Sequence, residues 1–154
     1  EKLDGVVTAE SGYSGGDLPN PTYENHSGHQ EVVKVVFDPD IIDYKYLLKQ
    51  YWVNIDPFDD EGQFCDRGNA YKPVIFTSNK GQEIDAKESQ EAISVALNIP
   101  LDQLKVDIID SKTFWMAEKY HQDFAVKNPL KYNFYRTSCG RDNRLKKVWG
   151  EYKQ

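Results

Sequence analysis

Phenols and acids stand close together at two points of this chain, Tyr23 with Glu31 and Asp66 with Tyr71, and a third loop sets His121 near Asp123. A phenol donates a hydrogen bond and a carboxylic acid can give up a proton. Two tyrosines and one acid can therefore converge on an acceptor oxygen where negative charge develops. Glu31 is the most informative of the set. It stands at the mouth of the apolar run Val32-Val33-Lys34-Val35-Val36-Phe37, behind Gly12-Tyr13-Ser14-Gly15-Gly16 and the stiff Asn20-Pro21-Thr22-Tyr23. A carboxylate there is costly unless something uses its charge or its proton. The plain alternative is that each polar group is a satisfied structural side chain, and spacing alone leaves both readings open.

Other chemistries find less support. His26 and His29 are three apart, but in a Pro/Gly loop with no cysteine beside them, a weak basis for zinc. No glycine loop follows a strand and opens a helix to cradle phosphate, and no serine sits in a nucleophile elbow. Two cysteines, Cys65 and Cys139, are too few for a disulfide scaffold and read as inert thiols or as a redox pair. Cys139 lies just ahead of a predicted helix N-terminus, which favours a thiolate. Cys65 adjoins Asp66, whose charge disfavours one, so a structural role is expected there.

The elements that must position these groups can be read from pattern. Val6 to Tyr13 and Glu31 to Phe37 read as strands, joined by an ordered loop over Asp17 to His29. Asp43 caps a helix in which Tyr44, Leu47, Leu48, Tyr51 and Trp52 recur at helical spacing. Asp56 to Gly68 reads as an acidic loop, Tyr71 to Thr77 as a strand, Lys80 to Leu97 as a helix and Leu104 to Ile109 as a last strand. A short helix is expected around Ala117 to Val126, ahead of Asn128-Pro129, and a final one over Arg141 to Trp149, stopped by Gly150. The pattern predicts an α/β (α+β) fold: one domain over residues 1–154, a two-layer sandwich with a mixed sheet, a ferredoxin-like core and long ordered loops. The length suffices for a real core. A net charge of -6, with no basic run longer than a pair, argues against a nucleic-acid partner. No apolar stretch is long enough to span a membrane, and no signal-peptide pattern is present.

Taken together, SGYSGGDLPNPTYENHSGHQEVVKVVFDP, DYKYLLKQYW, DPFDDEGQFCDRGNAYKPVIF, AEKYHQDF and FYRTSCGRDNRLKKVWG resemble peptide methionine sulfoxide reductase A over nearly the whole chain. The resemblance implies reduction of the S epimer of methionine sulfoxide, free or in proteins. Glu31 would protonate the sulfoxide oxygen, Tyr23 and Tyr71 would donate hydrogen bonds to it, and Asp66 would belong to the network positioning nucleophile and substrate. A sulfoxide oxygen is a poor leaving group, so it must gain a proton as sulfur is attacked. Burial among aromatics would lift the acid from about 4.3 towards neutrality.

One departure is serious. The family's nucleophile lies in a Gly-Cys-Phe-Trp motif, which these 154 residues do not contain. The resemblance places that cysteine roughly nine residues before Glu1 (counting back along the motif), so a domain truncated at its N-terminus, inactive alone, is expected. Cys139 is then the candidate within these residues to resolve the sulfenic acid, with a further cysteine of the absent segment as its rival, and a disulfide recycled by thioredoxin or dithiothreitol with no bound cofactor. A monomer, in the cytoplasm or alternatively exported, acting on oxidised proteins or free methionine sulfoxide, completes the expectation. The competing readings are a binding module for oxidised methionine and a thiol-disulfide protein built on Cys65 and Cys139.

Overall fold

Two antiparallel strands, β1 (Val6–Ser14) and β2 (Gln30–Phe37), form the longest ladder, with Tyr13 directly opposite Glu31. The computed structural model describes residues 3–150; Glu1 and Lys2, where the expected upstream extension would join, lie outside them. Then follow α1 (Tyr44–Trp52), the short hairpin β3 (Gly62–Gln63) and β4 (Asp66–Arg67), β5 (Val74–Thr77) and α2 (Lys80–Ala96). The chain continues with β6 (Asp107–Asp110), β7 (Trp115–Met116), α3 (Phe124–Lys127), α4 (Pro129–Ser138) and α5 (Arg141–Trp149). β7 joins β1 on the side away from β2, and β5 pairs with β6 in parallel. The mixed α/β order expected from pattern is therefore present, with its strands in an antiparallel and a parallel ladder plus the hairpin.

Local chemistry explains the elements. Asp43 caps α1 by accepting from the Tyr46 N–H at 2.6 Å. Asn79 caps α2 by accepting from Gln82 N–H at 3.0 Å, while the Gln82 side chain accepts from Ser78 N–H at 2.8 Å. A Cβ on Gly12 would fall 2.4 Å from the Phe114 ring and from Trp115 O, so only glycine lets β7 close on β1 here. Gly15 turns the chain out of β1 at φ +93°.

Four expectations need correction. The strand predicted over Leu104 to Ile109 runs over Asp107–Asp110, after a 3-10 turn at Leu101–Gln103, and it is not the last, since β7 follows. The strand predicted from Tyr71 begins at Val74, because Asn69–Tyr71 form a 3-10 turn and Pro73 has no N–H to enter a ladder. The helix predicted over Ala117 to Val126 does not form. Ala117 is still tied to β1 through its N–H on Ser11 O at 2.9 Å, and Asp123 takes a left-handed φ of 56°, so only Phe124–Lys127 coil. Pro129 does not merely end a segment: it stands at the start of α4, where its missing N–H costs nothing.

The core lies between α1, α2, the β5–β6 ladder and α5. Leu48, Trp52, Ile75, Ala86, Ile93, Leu104, Val106, Leu145 and Trp149 form one buried cluster. Both tryptophans satisfy their indole N–H, Trp52 on Ser89 Oγ at 2.9 Å and Trp149 on Ile55 O at 2.8 Å. Among the described residues no helix is long and apolar enough to cross a membrane.

Candidate active site

The pairing of β1 with β2 sets the site. Residues opposite each other share a sheet face, so Glu31 projects beside the buried ring of Tyr13. The loop ahead of Glu31 is fixed by His29. Its Nδ1 accepts from Gly16 N–H at 3.2 Å, which leaves Nε2 to donate to Leu18 O at 2.9 Å. Both nitrogens are thus spent on backbone. His26 stacks on Tyr13, ring centroids 5.1 Å apart, and brings Nε2 to 3.9 Å from Glu31 Oε1.

Glu31 receives its hydrogen bond from Tyr71, whose hydroxyl donates to Oε1 at 3.1 Å. Burial, then the Glu31 charge and this bond, with Tyr23 and Asp66 adding, push the Tyr71 phenol well above the usual tyrosine range. It stays a donor at any ordinary pH. The carboxylate is less enclosed than expected: its side chain keeps 29% of its surface exposed. A cleft of about 930 Å³ opens beside it, with Glu31, Asp66, Tyr71, Tyr13, Phe64 and His121 among its walls.

Tyr23 stands at the edge of this cluster, 47% exposed, its ring 4.9 Å from that of His121. Its backbone is pinned: Tyr23 N–H donates to Glu118 Oε1 at 2.8 Å, while Tyr13 hydroxyl donates to Oε2 of the same carboxylate at 2.9 Å. The Tyr23 N–H foremost, with the Tyr13 hydroxyl and His121 adding, holds the Glu118 carboxyl below its usual range. Glu118 is a residue that sequence reasoning missed. Its only signal was the i, i+3 spacing to His121 within AEKYHQDF. Asp123, paired in sequence with His121, instead faces Lys127 at 3.0 Å.

Asp66 accepts a hydrogen bond at 2.6 Å from a phenol not singled out in the sequence, Tyr135 of α4. Burial and the Asp66 hydrogen bond push Tyr135 upward as well, with Tyr23 contributing. The structure therefore gathers Glu31, Tyr71, Tyr23 and Asp66 and adds Tyr135. Cys139 lies one helical turn beyond Tyr135 and is bonded to Cys65. The two sulfurs are bonded to each other, which fits the paired reading of Cys65 and Cys139 rather than that of two free thiols.

Three consecutive hairpin residues each hold one point of the α4–α5 junction. Phe64 lies under the Arg141 guanidinium at 4.9 Å, Cys65 is bonded to Cys139, and Asp66 binds Tyr135. Phe64 adopts a left-handed φ of 56° to do so, uncommon for a bulky side chain.

A family model described as peptide methionine sulfoxide reductase matches residues 1–153. Peptide methionine sulfoxide reductase MsrA 2 of Caulobacter vibrioides is 48% identical over 150 residues, covering 95% of this chain and 75% of that protein. MsrA of Bacillus licheniformis is 43% identical over 150 residues, covering 95% and 82%. Among solved structures, reduced Mxr1 of Saccharomyces cerevisiae superposes with a TM-score of 0.71 at 25% identity, over 82% of this chain and 74% of that one. Methionine sulfoxide reductase A of Corynebacterium diphtheriae gives 0.69 at 28%, over 82% and 66%.

Proposed function

Since this chain belongs to the peptide methionine sulfoxide reductase family, we propose that Glu31, Tyr71 and Tyr23 receive the oxygen of a methionine-S-sulfoxide, free or in an oxidised protein, and that the reaction reduces it to methionine. The observation carrying this reading is the Tyr71 hydroxyl on Glu31 at the cleft, with Tyr23 and Asp66 close enough to bear on the same phenol. As a thiolate attacks sulfur, the S–O bond breaks and the oxygen leaves as a sulfenic acid on the attacking cysteine. Glu31 supplies the proton that this transfer requires, and the phenols share the developing charge. Asp66 positions the reacting groups.

The attacking thiolate is not Cys65 or Cys139 in the oxidised chain, because each is bonded to the other. In this reading the thiolate belongs to the Gly-Cys-Phe-Trp segment that the family resemblance implies, and residues 1–154 alone do not turn sulfoxide over. Cys139 then attacks the sulfenic sulfur and expels water, forming a mixed disulfide. Cys65 attacks the Cys139 sulfur, frees the first thiol and leaves the Cys65–Cys139 disulfide. An external dithiol, thioredoxin or dithiothreitol, returns two electrons, with no bound cofactor. We take the working unit to be a cytoplasmic monomer.

The test is single-turnover reduction of a methionine-S-sulfoxide peptide by the thiol-bearing protein and its Glu31→Gln variant. The variant should lose about 100-fold or more in the chemical step with substrate binding nearly unchanged. An unchanged rate removes Glu31 as the acid. Turnover by residues 1–154 alone with dithiothreitol would overturn the assignment of the attacking thiol.

A further inference from the structure

α4 has no fully buried side chain, only Tyr132 and Arg136 half-buried. Leu130 and Phe134 are 84% and 77% exposed. Helices usually hold their place through an apolar face, and this one has no such anchor. What joins it to the hairpin is chemistry at two points one turn apart. Tyr135 and Cys139 are i and i+4, so both project on one side. Their partners Asp66 and Cys65 are neighbours in sequence. The Arg141–Phe64 contact closes the same junction just beyond.

Two bonds arranged this way are not independent. Closing the disulfide confines Tyr135 to within reach of Asp66, which raises its effective concentration there; the hydrogen bond in turn holds Cys139 against Cys65. Such coupling is reciprocal by thermodynamic necessity. We infer that Tyr135 is a positioning residue for Asp66 and that the Cys65–Cys139 disulfide and the Tyr135–Asp66 hydrogen bond form one redox-linked unit. The sulfur pair then sets how Asp66 is presented to the cleft shared with Glu31 and Tyr71. When an external dithiol reduces the pair, the Sγ–Sγ bond breaks, two electrons and two protons pass to Cys65 and Cys139, and the dithiol closes to its own disulfide. With the covalent tie gone, Tyr135 is held by its hydrogen bond and by the packing of α4 on α3 and α5, with no bond of α4 to Cys65, so Asp66 is freer to turn. In the oxidised state the phenol occupies Asp66; in the reduced state the carboxylate is released for the next substrate.

The inference rests on the sulfoxide-reductase reading only in treating Asp66 as part of the site. Its test needs no sulfoxide, so the two can fail separately. The midpoint potential of the Cys65–Cys139 couple is measured by equilibration with glutathione redox buffers, trapping thiols for mass spectrometry. A hydrogen bond to a carboxylate at a half-exposed site should favour the oxidised form about fivefold. Tyr135→Phe should remove that factor and raise the potential by about 20 mV, the two-electron equivalent. Asp66→Ala, which removes the acceptor, should shift it similarly, and the double variant should shift it no further than either alone. Phe134→Ala, on the exposed face of the same helix, should leave it unchanged. An unshifted potential in Tyr135→Phe, additive shifts in the double variant, or an equal shift in Phe134→Ala would each overturn the coupling.

Discussion

The Tyr71 hydroxyl donates to Glu31 Oε1 at 3.1 Å, joining a 3-10 turn to a strand 40 positions earlier in the chain. The bond does two things at once. It orients the carboxyl group, and it places a phenol that keeps its proton beside the oxygen that a bound sulfoxide would present.

Tyr71→Phe should therefore keep the ring packing and lose the donor. In the thiol-bearing protein we expect single-turnover sulfoxide reduction to slow by about 100-fold, as for loss of one oxyanion donor, with the unfolding midpoint nearly unchanged. Stopped-flow tryptophan fluorescence or quenched-flow product analysis would measure it. A rate within twofold of wild type (about 0.4 kcal/mol of barrier) would show that Tyr71 is a structural partner of Glu31 only.

Glu118 should prove to be the anchor of Tyr23. Glu118→Ala leaves Tyr23 N–H and the buried Tyr13 hydroxyl without their acceptor, and should cost about 1–3 kcal/mol in urea denaturation. Glu118→Gln keeps an acceptor for Tyr23 N–H and should recover part of the loss. Because native bonds hold Glu118 below its usual carboxyl range, its contribution is complete above the unfolded-state value and fades as pH falls through the lowered one. Equal stability of Ala and Gln variants would contradict this.

At the other end of the scale, the tyrosines should dominate. Burial and Asp85 push Tyr44 up to about 12, and Tyr13, Tyr51, Tyr71 and Tyr135 are pushed up as well, each first by burial. The folded protein keeps these protons longer than the unfolded chain does. Their stabilising contribution is thus whole below about pH 10 and is lost as pH rises through the folded values. Urea midpoints should drop steeply from pH 10 to 12, and Tyr44→Phe should make that slope shallower. An unaltered slope would exclude Tyr44 as a contributor.

Arg144 grips the buried Asp56 with two nitrogens, Nε to Oδ2 at 2.5 Å and Nη2 to Oδ1 at 3.1 Å. Arg144→Met would leave that carboxylate without its charge partner, though still accepting from Phe58 N–H. The guanidinium is partly open to water, so we expect a cost of about 2–3 kcal/mol rather than that of a fully buried pair. Asp56→Asn in the same background should restore stability; a further loss would argue against an uncompensated charge as the cause.

Legibility in the sequence followed the physics of each segment. β1, β2, α1, α2 and α5 were readable because apolar pattern and local signals agree there: Asp43 before Tyr44, the apolar run closing on Phe37, and Asn79 before Lys80. Glu31, Tyr23, Tyr71 and Asp66 stood out through resemblance, and their mutual placement depends on contacts tens of residues apart that no local pattern encodes. Tyr135 was missed because α4 lacks the apolar stripe that marks a helix. Glu118 was missed because its role is to serve two distant donors. The Cys65–Cys139 pair was raised only as one reading among several, since the two are 74 positions apart and no local pattern ties them.

The facing of Tyr13 and Glu31 across the first two strands has a further consequence for how this protein can change. Strand side chains alternate in direction, so sliding β2 by one position would swing Glu31 to the opposite side of the sheet and leave the Tyr71 oxygen pointing at nothing. The turn from Gly15 to His29 can thus vary in length over evolution or in engineered variants provided that its ends stay in phase. Function here is stored in the register of two strands rather than in the length of what joins them.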